Sequence, residues 1–220
     1  MLAVSLAIAA CGSPQTGNTL VEGDQDIAHP FRNAFVTGVE LDKILASPFT
    51  SIDTFTLTEL TACGVTPGES HSAEAQLAKA FAGDGDNIVV ETIAVFSDAA
   101  AANAFVSATT SAIDECGGYS SGGTEVDAEK LEIAPAGDRI DTYRLRGPDN
   151  TPQRFAGTEA FVVAGNVVVS ISVANVAGKP FDDTKIAEIV SLATSKVETA
   201  AADAAGSPTG MVPDSAPAGG

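Results

Sequence analysis

Apolar positions along the chain change their period several times, and each change marks an element. Ile88-Val89-Val90-Glu91-Thr92-Ile93-Ala94-Val95-Phe96 is rich in β-branched residues and predicts a strand. Ser97 or Asp98 can cap the helix that follows. From Ala99 to Cys116 the apolar residues Ala101, Phe105, Ala108, Ala112 and Cys116 recur at spacings of three and four, one stripe along a helix. Gly117-Gly118 stops it. Three strands are expected next, over 126–133, 140–146 and 158–164. Gly165-Asn166 reads as a two-residue hairpin turn into a strand over 167–173. Asp182 or Asp183 caps a last helix, with Ile186, Ile189, Val190, Ala193 and Val197 on one face.

The first third of the chain is less regular. Val39 to Leu45 has a helical pattern that Ser47-Pro48 ends, because the residue before proline avoids helical dihedrals. Thr54 to Thr58 alternates as a strand does, Cys63 to Gly68 reads as a turn, and Ala73 to Phe81 as a short helix. Strands gathered between helices and joined by tight turns predict an α+β domain, an antiparallel sheet with helices packed on one face.

The N-terminus changes the picture. Leu2 to Ala10 is an apolar run of nine residues, too short to span a bilayer and suited to a signal peptide. Ile8-Ala9-Ala10-Cys11 resembles a bacterial lipobox, which implies cleavage before Cys11 and lipid on that cysteine. The expected organisation is therefore a signal peptide over 1–10, a lipid-anchored flexible tether over 11–30, one domain over 31–203 and a disordered tail over 204–220. It places the protein on the extracytoplasmic face of the cell membrane. If Cys11 is lipidated, Cys63 and Cys116 remain, and an even remainder in an exported protein suggests a disulfide, the alternative being two buried thiols.

The segment from Val89 through Phe96-Ser97-Asp98-Ala99-Ala100 to Ile113-Asp114-Glu115-Cys116-Gly117-Gly118, with an earlier Cys63-Gly64 in a turn, resembles the PknH-like extracellular domain. The hairpin around Gly165-Asn166 and the closing amphipathic helix fit the same resemblance, which covers roughly residues 35–200. Ile113 stands where that family usually carries a tryptophan. The resemblance implies an extracytoplasmic sensor or ligand-binding fold with a cleft, and names no ligand.

Composition narrows the chemistry. Eleven Lys and Arg against 29 Asp and Glu leave a formal charge of −18, which argues against nucleic acid as a partner. Neither a nucleophile elbow nor a kinase motif is present. Gly83-Asp84-Gly85-Asp86-Asn87 lacks the spacing of a calcium loop, and the two histidines, His29 and His71, flank no evident ligand cluster. Neither a catalytic role nor a cofactor is expected. Arg139, Arg144, Arg146 and Arg154 fall close together and could line an anion-binding cleft, with Arg144 and Arg146 the residues singled out; the alternative is a solvated strand face. The expected function is a membrane-anchored lipoprotein whose domain binds a small molecule or an envelope component. The alternative is a non-catalytic scaffold contacting another envelope protein.

Overall fold

The structure is a computed structural model and describes residues 19–52, 55, 60–121, 124–147 and 155–206. In chain order the elements are β1 (Leu20–Gly23), α1 (Gln25–Ala28), a 3-10 turn at His29–Phe31, α2 (Gly38–Leu45), β2 (Phe49–Ser51), β3 (Leu60–Thr61), α3 (Pro67–Ser70) and β4 (Ala75–Gly83). There follow β5 (Asn87–Val95), α4 (Ala99–Cys116), β6 (Gly118–Ser121), β7 (Thr124–Leu131), β8 (Arg139–Arg146), β9 (Ala156–Ala164), β10 (Val167–Asn175) and α5 (Asp183–Gly206). Among the described residues the strands form one ten-stranded sheet in the order β1-β4-β5-β10-β9-β8-β7-β6-β3, with β2 also on β4. Every pairing is antiparallel.

The α+β class and the antiparallel sheet are as expected. The helices, expected on one face, occupy both. Val167, Val169, Ile171 and Val173 of β10 pack with Ile186, Ile189 and Val190 of α5. Val168, between them in sequence, packs with Phe105, Val106 and Ile113 of α4. Successive strand residues point to opposite faces, so α5 and α4 cover opposite sides of the same central strands. This is why β9 and β10 read as continuous apolar runs: both of their faces are buried.

Local chemistry sets the element ends. Asp98 caps α4, its carboxylate accepting the Ala101 N–H at 2.8 Å. Gly117 takes the left-handed conformation after it, with φ 66°. Thr37 and Glu40 form a reciprocal capping box on α2. Gly165 turns the β9–β10 hairpin with φ 61°.

Three further expectations need correction. Ala73 to Phe81 is not a helix: residues 75–83 are β4, a strand placed between β5 and the tandem of β1 and β2. Alternation is present, with Ala75, Leu77 and Phe81 in the core on the α5 side, but alanines on the other face disguised it. Residues 20–30 are not tether, since β1 and α1 are folded onto the sheet edge with Leu20 and Val21 buried. The buried stripe of α4 is Ala102, Phe105, Val106, Thr109, Thr110, Ala112 and Ile113, one position round from the expected face. The strand expected over 54–58 lies, Phe55 apart, outside the described residues.

Candidate functional site

Cys63 and Cys116 are bonded, with Cα atoms 5.9 Å apart. Cys63 itself adopts φ 48° in the turn before α3, and Cys116 ends α4, so the bridge ties that turn to the helix end. Cys11 and Arg154 lie outside the described residues. Arg144 and Arg146 come together, two positions apart on the α5 side of β8, and each meets an acid. The Arg144 Nη2 donates to both oxygens of Asp183 at 2.8 and 2.9 Å, and Arg146 lies 3.7 Å from Glu129. Arg139 faces the other way, donating to Asp141 at 2.6 Å and to Ser107 of α4 at 2.7 Å. The arginines are thus divided between the two faces of the sheet.

A groove of about 660 Å³ opens elsewhere, between the 29–34 turn and the second half of α5. That volume is in the range that holds small molecules, roughly 300–1,000 Å³. His29 and Asn33 face Ser195, Lys196, Thr199 and Asp203, with prolyl and alanyl surface between them. The turn is possible because Pro30 sits in the first turn of the 3-10 helix, where its missing N–H costs nothing. Lys196 is anchored at two points. Its Nζ lies 2.9 Å from Glu40 Oε2 and donates to the Phe35 carbonyl at 3.2 Å. Burial would raise the Glu40 carboxyl, but the hydrogen bonds and charge of Lys196 and the hydrogen bonds of Thr37 outweigh it and hold the group below its ordinary value.

Beneath this seam lies Glu91 of β5, fully buried. Its Oε2 accepts the Val36 N–H at 2.8 Å, while Oε1 has no partner. Burial pushes its pKa up to about 8, against the opposing pull of the Val36 N–H, Lys196 and Lys79. On the opposite face of the sheet Glu159 of β9 is as deeply buried. It accepts from Ser170 at 2.7 Å and meets the Ser172 hydroxyl, both on β10, and burial raises its pKa to about 8 as well. Thr92, the cross-strand neighbour of Ser170, buries an unpartnered hydroxyl beside them. Neither glutamate was singled out from the sequence. The available signal is a lone carboxylate within an otherwise apolar strand.

His29, Ser195 and Asp203 share the groove, but no hydrogen bond joins His29 to Ser195, and Ser195 and Asp203 stand two turns apart on α5, about 12 Å along its axis. His71 ends α3 and is not in the groove. Among the described residues no group of three or more His, Cys, Asp and Glu is placed to hold a metal ion, and no helix is long and apolar enough to cross a membrane.

Comparison with known proteins gives a consistent assignment. The family model of the PknH-like extracellular domain matches residues 56–202. A crystal structure of the extracellular domain of PknH from Mycobacterium tuberculosis shares the fold, with a TM-score of 0.54 at 12% identity, covering 76% of this chain and 93% of that one. A search of curated proteins finds no match.

Proposed function

The chain belongs to the PknH-like extracellular domain family, and from that premise we propose that it binds a small polar molecule in the groove between the 29–34 turn and α5, held at the membrane by lipid on Cys11. The family makes it an extracytoplasmic, sensor-type domain. The groove supports the ligand reading: a concavity of small-molecule size, with hydrogen-bonding groups on both walls and small apolar residues between. The scaffold reading has less support. Among the described residues the exposed large apolar side chains are Val39 at 63% and Val65 at 53%, on separate elements, which makes no apolar docking patch. Arg144 and Arg146 remain a second place for an anion, one that must compete with Asp183 and Glu129.

Native mass spectrometry of the full chain, produced in a bacterial envelope, tests the proposal. A discrete bound mass is expected in the wild type and its loss in Thr199→Trp, which fills the groove from an exposed position on α5. A bound mass unchanged by Thr199→Trp places the ligand elsewhere. A clean apo mass under gentle ionisation, with no stabilisation by envelope extract, overturns the ligand reading.

A further inference from the structure

Buried polar side chains gather at one place on the α4 side of the sheet. The register puts Gln76, Thr92, Ser170, Ser172 and Glu159 on that face, along the neighbouring strands β4, β5, β10 and β9. Each is more than nine-tenths buried. A buried polar group costs free energy unless it is hydrogen-bonded, and apolar side chains would fill the same face without that cost. Such a concentration points to a use beyond packing.

Ser170, Ser172 and Glu159 satisfy one another. Ser170 donates to Glu159 Oε1 at 2.7 Å, and the Ser172 hydroxyl meets Oε2. Among the described residues, Thr92 Oγ1 and Gln76 Nε2 have no hydrogen-bond partner, although the two side chains are 1% and 8% exposed. They stand at diagonal corners of one square on the β4–β5 ladder, in which Gln76 pairs with Ala94 and Thr92 with Ala78. The other two corners therefore carry one methyl group each, which can bond neither polar group. Diagonal neighbours lie about 7–8 Å apart, a span that two or three carbons carrying oxygens can bridge.

The surroundings narrow the guest. Leu20, Phe55 and Val90 pack around Ala78, and Ala94 belongs to the same apolar cluster as Phe96 and Phe105. An apolar rim around a few convergent polar groups is the usual make-up of a small-molecule site. Glu22 flanks Gln76 across the β1–β4 ladder and repels an anion. The Gln76 N–H needs an acceptor, which an ammonium-type cation lacks. A neutral hydroxyl meets both demands, and it can bond Thr92 as donor or as acceptor. Gln76 lies one strand in from β1, which gives a short way in from the sheet edge.

We propose that Gln76 and Thr92 form a second binding site, for a small uncharged polyol, with one hydroxyl oxygen on the Gln76 amide, another on the Thr92 hydroxyl, and Ala78 and Ala94 against its carbon chain. The site is on the opposite face of the sheet from the groove beside α5 and does not depend on it.

Methyl NMR of the full chain, labelled at alanine and threonine methyls and titrated with glycerol as the probe, tests it. The Ala78, Ala94 and Thr92 methyls should shift along one saturating curve, which Ala34 and Ala200 of the groove do not follow. Thr92→Val and Gln76→Leu should each weaken glycerol about fivefold, the loss of one ordinary hydrogen bond. Sodium sulfate and tetramethylammonium chloride should leave these methyls in place. Should a variant not fold, cross-relaxation in the wild type between glycerol protons and the Ala78 and Ala94 methyls gives the same answer. Shifts that rise linearly with glycerol mark an adventitious additive only and overturn the proposal. So do an unchanged curve in Thr92→Val, an equal response to either salt, or no cross-relaxation to the two alanines. A groove that binds no molecule would refute the ligand reading above and leave these results unchanged.

Discussion

Glu159→Gln should change how stability depends on pH, and the size of the change follows from burial. An unfolded glutamate ionises near 4.5, whereas folded Glu159 keeps its proton to about 8. Between those values unfolding releases a proton, so stability is fully present below the unfolded value and falls as pH rises toward 8. At about 1.4 kcal/mol per pKa unit the whole loss is about 5 kcal/mol for this one group. Glu91 behaves alike, so the wild type should lose about 2.7 kcal/mol per pH unit across the middle of that window. Glutamine keeps the geometry: its carbonyl can accept from Ser170 and its amide can donate to Ser172, and it cannot ionise. Urea unfolding followed by far-ultraviolet circular dichroism at pH 5 to 9 should therefore show about half the wild-type slope in Glu159→Gln. On the acid side the curve turns over. Glu40 and Asp141 titrate below their unfolded values in the fold. At Asp141 burial is outweighed by hydrogen bonds from Lys130 and Arg139. Their contribution is present above the unfolded values and disappears as pH falls through the folded ones. An unchanged slope in Glu159→Gln refutes the reasoning, because it means that Glu159 is ionised in the folded protein at neutral pH.

Cys63→Ser with Cys116→Ser should cost about 4 kcal/mol in the chain-entropy model, given a separation of 53 residues, and a midpoint in urea that does not move would show the bridge to be idle. Asp98→Ala removes the cap on α4 and should cost about 1 kcal/mol in the same assay, with Asp98→Asn recovering most of it. Cys11→Ala should move the protein from the membrane fraction to the soluble fraction; continued membrane association sinks the lipid-anchor proposal.

Most of the sheet was legible because its strands carry their own signal. The run from Ile88 to Val95, the Gly165-Asn166 hairpin and the α5 stripe each satisfy one period throughout, and the structure keeps them. β4 was missed for a physical reason. Its second face is Gln76, Ala78, Ala80 and Ala82, and alanine suits a helix as well as a strand, so pairing with β5 decides a choice that propensity leaves open. The division of helices between two faces was also hidden, since it depends on which side of the strands each crossover takes. The fully apolar β9 and β10 were the clue that both sides are covered. For the site, the cysteine pair could be read by parity, whereas the groove could not. His29 and Asn33 meet Ser195 and Lys196 across more than 160 residues, and nothing local in either segment announces the other. Arg144 and Arg146 were legible as neighbours; their partners Asp183 and Glu129 come from tertiary structure.

The tandem placement of β1 and β2 on one strand has a mechanical consequence. Tension applied through the N-terminal end of the chain loads Leu20 first, and an antiparallel edge strand of four residues peels one pair at a time instead of resisting in shear. The next elements in the line of force are α1 and the His29–Phe31 turn, then the seam at Val36 and Lys196. Downstream, the 63–116 crosslink limits how far the chain can extend. Compliance is therefore concentrated in the first forty described residues or so, which include one wall of the groove. Stretching this domain from its N-terminal end would unmake the groove long before it disturbed the central strands, which makes that end a fuse between mechanical load and occupancy.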